Sequence, residues 1–525
     1  MNSPFESRLT ALADTDAETL VSTFAAGLRG VEKEALRIDL GGYLSQKPHP
    51  ESLGSAMTNR FITTDFSEAL LEFVTPAYVT TWEALRCICD IHQFTYENLD
   101  DELLWAASMP CRTPAETNIP LARYGSSNVG QMKTAYRRGL GYRYGRNMQT
   151  IAGVHFNYSL PLPFWAVFQE LLDDDRDADA FRSDRYMGIV RNVRRNGWIL
   201  LYLFGASPAM CKSFDVDAEG LESLNSDTLY APWATSLRMS DLGYTNETQG
   251  QINIGLNSVD DYIHDLSAAI RTPEPSYEKI GVKVDGLWRQ LSANQLQIEN
   301  EYYSPIRPKR VARSGERPTA ALRRGGVEYV EIRSLDVNVF DPSGINQNTM
   351  RFIEAFLIYS AISDSPKFDN AGLDEATSNH TEVARRGRDP SLVLYRNGEA
   401  ISLNDWASEI IESVHAVAEV IDRAEKSDSY VAAVRAMREL VDEPDATPSA
   451  RMLDELRSAN ISFFDFALSV AEGHRDYFRS ITPLKEETRD RFEREAKESL
   501  ARQKAIEDAD EISFDEYLEN YYAGE

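Results

Sequence analysis

The 525-residue sequence predicts an α+β fold with an antiparallel sheet, on three observations. Its strand candidates lie far apart, with helical and loop stretches between them rather than a regular strand–helix alternation. None has the continuous apolar run of a strand buried on both faces of a parallel sheet. Each instead alternates apolar and polar side chains, as strands do when one face lies in the core.

In chain order, residues 8–29 read as a short helix, with Leu9, Leu12, Leu20, Phe24 and Leu28 near helical spacing. Gly30–Ile38 reads as a strand, broken by Asp39-Leu-Gly-Gly42. Trp82–Trp105 is helical, and the Gly-, Ser- and Arg-rich stretch from Leu121 to Gly145 reads as a loop with one helix. Gly153–Leu160 alternates like a strand, Phe164–Phe204 is mostly helical, and residues 246–274 hold another helix. Two further strand candidates, Gln295–Tyr303 and Val327–Val337, flank the one basic segment, Ile306–Arg324. Asn348–Ile362 is helical, and 364–402 reads as surface loops, given Ser365-Pro366 and Asn397-Gly398. Residues 404–442 and 448–474 are helical. The densely charged stretch 484–525 reads as a solvated helix packed on the body, which divides the chain into a main unit, 1–483, and a C-terminal helical extension.

Composition narrows the function. Fifty-five Lys and Arg stand against 83 Asp and Glu, a net charge of −28. Such a chain repels phosphate backbones and anionic lipid, which argues against a nucleic-acid binder or a polybasic membrane protein. Four cysteines in this length make no disulfide framework, and Cys87-Ile-Cys89 lacks a metal or redox spacer. Cys111 and Cys211 read as buried thiols and a reducing compartment fits. The N-terminus has neither a basic flank nor an apolar run, and the longest apolar stretch, Trp198–Phe204, is too short to span a bilayer. The expectation is a cytoplasmic protein, with a monomer favoured.

The polar faces of the strands carry the chemistry. Alternation puts Glu32 and Glu34 on one face, His155 with Asn157, Glu331 with Arg333, and Glu299 with Glu301 and Tyr303. One such face can simply be wet. Several rich in Glu repel unless something positive sits among them, and hard divalent cations with oxygen ligands plus one imidazole would serve. Asp65 read alone is an N-cap candidate. Glu72, inside the apolar run Leu70–Val74, is costly unless paired or metal-bound. His155 read alone is either a satisfied core histidine or a ligand.

Phosphate-binding signatures are missing. There is no Gly-x-Gly-x-x-Gly after a strand, and Gly125–Gly130 begins like a P-loop but continues Gln131-Met132 where Lys-Ser/Thr is required. The basic segment, with seven Lys and Arg against one acid, is either a solvated loop or a cationic edge for a polyanion such as ATP. Arg238 is another cation beside a turn. No nucleophile elbow is present.

Several long blocks, in order, resemble the proteobacterial type of the glutamate–cysteine ligase family from about Leu28 to Asp341. They include Gly30-Val-Glu-Lys-Glu-Ala-Leu-Arg37, Ile62–Phe73, Ser108-Met-Pro110, Met148–Asn157, Tyr202–Pro208, Thr235–Asn246, Leu296–Arg310 and Glu328–Asp336. The resemblance implies a glutamine-synthetase-like fold whose antiparallel sheet carries the active site. It implies ATP-dependent joining of the L-glutamate γ-carboxylate to the L-cysteine amine through γ-glutamyl phosphate, the first step of glutathione synthesis. Matched by position, Glu32, Glu34, Asp65, Glu72, His155 and Glu331 correspond to the positions around the family's Mg²⁺ ions, with Mn²⁺ an alternative. Asp65 has a second reading, against a substrate amine. Arg238 and Arg333 match arginines near the transferred phosphoryl group and glutamate. Tyr136, Arg137, Leu140, Gln149, Tyr244 and Tyr303, with Phe66 beside them, match the amino-acid pocket, and Arg137 is expected on a loop that closes over substrate. Glutathione is implied as a competitor at the glutamate site. A ligase with another acceptor amine fits these pocket residues less well. A non-catalytic scaffold predicts loss of the carboxylates, yet all six metal positions are present. Beyond Asp341 the resemblance weakens, and no site residue is expected from 364–402 or the C-terminal helices.

Overall fold

The computed structural model describes residues 3–214, 220–243, 252–313 and 315–523. Its centre is a seven-stranded sheet: β1 Leu28–Asp39, β2 Ile62–Thr64, β3 Leu70–Val74, β4 Glu102–Leu104, β5 Gly153–Ser159, β6 Ile306–Lys309 and β7 Tyr329–Asp336. The order is β6-β7-β5-β1-β3-β2, every pair is antiparallel, and β4 pairs with the end of β1. The α+β class with an antiparallel sheet is the one observed. β1 is long because it serves three neighbours, β5 along its first half, β3 across its middle and β4 at its end.

The helices that bear on the site are α1 Thr81–Glu97, α2 Asn128–Tyr144, α3 Ala178–Asn196, α4 Gln347–Ile362, α5 Asn370–Arg386, α6 Leu403–Glu425, α7 Glu486–Asp508 and α8 Phe514–Ala523. Most begin at a side-chain cap: Ser127 accepts from Gly130 N, Asn346 from Thr349 N and Asp369 from Gly372 N. Apolar side chains from one face of the sheet, Val31, Val154, Phe156, Val330 and Ile332 among them, join α4 and α6 in one large core. The other face of β1, β3, β5 and β7 is polar and opens into a cavity.

Several sequence expectations are corrected. Residues 8–29 hold parts of two helices, Pro4–Ala13 and Ala17–Phe24, because Asp16 caps a new start. Gln295–Tyr303 is not a strand: Glu299–Glu301 forms a single 3₁₀ turn, and the two carboxylates, both buried, turn inward to Arg317 and Arg143 rather than lying beside Tyr303. The region 364–402 is not loops but α5 and a hairpin, Val393–Arg396 with Glu399–Ser402, turning at Asn397-Gly398. Arg137 sits on α2, not on a loop. Asp65 caps no helix; its N–H closes the β2–β3 turn on Leu70 O. Cys111 and Cys211 are not thiols: their Cα atoms lie 5.4 Å apart and the sulfurs are bonded. The charged segment after 484 is helical and lies on the body, with Phe492 in a core cluster beneath it.

Candidate active site

The register of the sheet assembles the acids. Glu34 lies opposite Glu72 across β1 and β3, Glu32 opposite His155 across β1 and β5, and Glu331 opposite Asn157 across β7 and β5. All of these side chains except Asn157 line one cavity of about 1180 Å³. Fourteen of the fifteen residues expected at the site line it: Glu32, Glu34, Asp65, Phe66, Glu72, Tyr136, Arg137, Leu140, Gln149, His155, Arg238, Tyr303, Glu331 and Arg333. Tyr244 lies outside the described residues.

His155 is the hub. Its Nδ1 is 3.1 Å from Glu32 Oε2 and 4.0 Å from Glu331 Oε1, and its Nε2 is 3.9 Å from Glu34 Oε1. Asn157 Nδ2 donates to the other Glu32 oxygen at 3.0 Å, and Gly153 N donates to Glu34 Oε2 at 2.6 Å. Cations stand at one side: Lys309 Nζ is 3.5 Å and Arg333 Nη1 3.3 Å from the Glu331 carboxylate.

These neighbours divide the acids into two kinds. Burial favours neutral Glu331, but Lys309, Arg333 and His155 outweigh it and hold the carboxylate well below the usual range. Glu32 is also held low: the His155 hydrogen bond and the His155 and Lys309 charges overcome burial and Glu331 repulsion. Glu72 goes the other way, pushed well up by burial and by Glu32, Asp65 and Glu34. Burial and Asp65 likewise raise Glu34.

The donor set fits a hard divalent cation. One ligand atom each from Glu32, His155 and Glu331 falls within 4.8 Å of the others. Glu331 Oε2, buried and 3.3 Å from Arg333 Nη1, accepts no well-aligned hydrogen bond, and carboxylate oxygens with an imidazole suit Mg²⁺ or Mn²⁺. The upward push on Glu72 and Glu34 is what positive charge between the strands would relieve.

Two turns place Arg238. Asp336, at the end of β7, accepts from Ala206 N at 2.8 Å, Ser207 Oγ at 2.7 Å and Ser236 Oγ at 2.9 Å. It thus ties together the Gly205–Pro208 and Thr235–Met239 turns. Its Oδ1 stands 3.7 Å from Arg238 Nη1, and Arg238 Nη2 donates to Arg333 O at 3.0 Å. Gly153 leaves room for this guanidinium, since a Cβ there would meet Arg238 Nη2 at 2.0 Å. The basic segment divides in two, and Pro318–Gly325 is a helix rather than a solvated loop. Arg307 and Lys309 of β6 line the cavity, whereas Arg317 is paired with Glu299 and Arg324 with Glu316.

The walls differ in origin. Tyr136, Arg137, Leu140 and Tyr144 project from α2 at spacings of one, three and four residues. Arg137 is held by Asp65 O and by Lys133 O at 3.1 Å, over the Tyr124 ring. The opposite wall was missed by sequence reasoning. It comes from α5, with Leu373, Thr377 and His380, and from Arg194 of α3, whose Nη2 donates to Thr377 Oγ1 at 2.9 Å. Burial and Arg194 push the His380 imidazole down to about 3. The signal available in sequence was the cap Asp369, followed by a basic last turn, Arg385-Arg386.

A family model described as glutamate-cysteine ligase matches residues 10–383. A relative from Alcanivorax borkumensis named glutamate–cysteine ligase is 48% identical over 524 residues, covering 98% of this chain and 99% of its own. The chain belongs to the glutamate–cysteine ligase family. A second relative of that name, from Pseudomonas putida, is 48% identical over 94% of each chain. A crystal structure of a Francisella tularensis glutamate–cysteine ligase in complex with AMP superposes with a TM-score of 0.89 at 36% identity, covering 95% of this chain and 98% of that one. A bifunctional glutathione synthetase from Pasteurella multocida shares the fold, with a TM-score of 0.71 at 23% identity; this chain covers 54% of it. The chain thus has the fold of this family, an α+β body around an antiparallel sheet, as the resemblance implied.

Proposed function

We propose that the sheet-floored cavity is where this ligase joins the γ-carboxylate of L-glutamate to the amine of L-cysteine, at the expense of ATP, giving γ-glutamylcysteine, ADP and phosphate. The observation that carries the reading is the floor itself: Glu32, His155 and Glu331 converge beside Lys309, Arg307 and Arg333 in one cavity.

A carboxylate is a poor acyl donor. Transfer of the ATP γ-phosphoryl group to the glutamate γ-carboxylate makes a good leaving group, and the cysteine nitrogen then attacks the carbonyl carbon and releases phosphate and a proton. Phosphoryl transfer asks for alignment and charge neutralisation rather than a protein nucleophile. Mg²⁺ held by Glu32, His155 and Glu331 would supply charge neutralisation across the polyphosphate. Arg333 and Arg238, fixed by Glu331 and Asp336, offer further positive charge to the phosphoryl oxygens. Glu34 and Glu72 complete the acidic floor. Tyr136, Arg137, Leu140, Gln149, Phe66 and Tyr303 bind the amino acids, with Arg137 suited to a carboxylate and Asp65 to an amine. The partly apolar wall of Leu373, Ile252 and Ile254, with Arg194 beside it, suits the nucleoside.

Further parts of the proposal are feedback by glutathione at the glutamate pocket, whose γ-glutamyl group it shares, and a monomer working in the cytoplasm. No helix among the described residues is long and apolar enough to cross a membrane. The test is ADP release by purified protein with Mg²⁺, ATP and L-glutamate, with and without L-cysteine, followed by product mass. Cysteine-dependent turnover to γ-glutamylcysteine is expected. Turnover with another amine only, or with none, would overturn the reading.

A further inference from the structure

We infer that the last segment of the chain, from residue 507 through α8, is a positioning element for the amino-acid wall of the cavity. It acts through α2, and the inference rests on the assignment of Tyr136 and Arg137 to the amino-acid substrates.

Helix α2 is weak by its own sequence. Three glycines, Gly130, Gly139 and Gly141, lie within its 17 residues. Its stability and its seat must therefore come largely from contacts made by other elements. The C-terminal segment supplies them at three points.

The first is the helix start. Ser127 caps Gly130 N from within, at 3.2 Å. The neighbouring amides are capped from the far end of the chain: Asn128 N donates to the Asp510 carboxylate and Ser126 N to Glu507 Oε1 at 2.9 Å. Asn128 Nδ2 also donates to Ile512 O at 2.9 Å. A carboxylate at a helix N-terminus favours the helix by hydrogen bonding and by its dipole.

The second is the outer face. Leu518 of α8 is 3% exposed and packs with Met132, Ala135 and Leu291. Tyr136 packs against this same cluster and also lines the cavity, so one ring touches both the strap and the substrate space.

The third runs through Gln297. Tyr522 Oη donates to Gln297 O at 2.8 Å, and Gln297 Nε2 donates to Tyr136 O at 3.3 Å. Gly139 allows this approach, because a Cβ there would lie 2.1 Å from Gln297 Oε1. Cap, outer face and backbone of α2 are thus each supported, directly or through Gln297, by residues after 506, and none of the described residues there lines the cavity.

The experiment compares Asp510→Ala, Asp510→Asn and Leu518→Ala with the unaltered full-length enzyme. Asp510 is exposed, so its replacement leaves no cavity in the core. The expected result for Asp510→Ala and Leu518→Ala is a KM for L-glutamate or L-cysteine raised about three- to tenfold, with the KM for ATP within about twofold. Asp510→Asn, whose amide oxygen still accepts from Asn128 N, restores most of the loss. Hydrogen exchange at amides 128–132 speeds up in Asp510→Ala, a readout independent of turnover. Wild-type KM values with unchanged exchange would overturn the strap, as would a KM for ATP rising by the same factor. An unaltered enzyme that does not use glutamate and cysteine would instead overturn the proposed reaction, while the exchange result would still decide whether α8 fixes α2.

Discussion

On the floor of the cavity, Glu34 faces Glu72 and Glu32 faces His155 because the backbone ladder of β1 puts them there. On its wall, Tyr136 and Arg137 are placed by a glycine-rich helix that chain from elsewhere caps and props. A ladder side chain cannot shift without slipping a whole strand, which would turn every neighbour to the other face. A helix held at its start and outer face can tilt while the fold survives. The floor therefore suits chemistry that tolerates little misplacement, and the wall suits binding, where small shifts cost affinity first.

The comparison is most exposed at Glu331. Glu331→Gln keeps the shape of β7 and removes the charge that Lys309 and Arg333 surround. The expected outcome is a loss in kcat of about a hundredfold or more in a protein that still folds, as read by circular dichroism. A variant with near-normal kcat would break the distinction between floor and wall. Arg137→Ala should act differently, raising the KM of an amino-acid substrate about tenfold and changing kcat far less. Steady-state kinetics with each substrate varied in turn separates the two patterns.

The smallest effect belongs to a histidine outside both regions. Burial and the Arg37 charge push the His49 imidazole from 6.5 down to about 4. Between those values the unfolded chain binds a proton that the folded chain refuses, so stability is full above the upper value and falls as the pH drops toward the lower. His49→Gln should flatten that slope by at most about 1.4 kcal/mol per pH unit, measured by urea unfolding at a series of pH values. No change in slope would mean that His49 is protonated in the fold.

Much of the floor was legible in the sequence, because period-two alternation assigns faces directly: Glu32 with Glu34, Glu331 with Arg333, and His155 with Asn157. The motif blocks also have physical reasons now. Gly205–Pro208 and the turn at Thr235–Met239 belong together because Asp336 bonds to both. The wall was less legible. α5 buries Ala376, Asn379, Val383 and Ala384, a face of small and polar residues with little hydrophobic period. Asn379 is satisfied by the backbone of Tyr395 in the following hairpin, at 2.6 and 3.0 Å, a pairing that spacing does not disclose. Glu299 and Glu301 alternate like strand residues, yet their partners Arg317 and Arg143 are found only in the fold. The Cys111–Cys211 bond joins residues a hundred positions apart, beyond the reach of a spacing rule.

The most direct test of the floor is Mn²⁺ binding, followed by electron paramagnetic resonance, in the unaltered protein and in Glu331→Gln. The account predicts that the unaltered protein removes free Mn²⁺ signal with saturable stoichiometry, and that Glu331→Gln, folded by circular dichroism, does so far more weakly. Equal binding by the two proteins would contradict it.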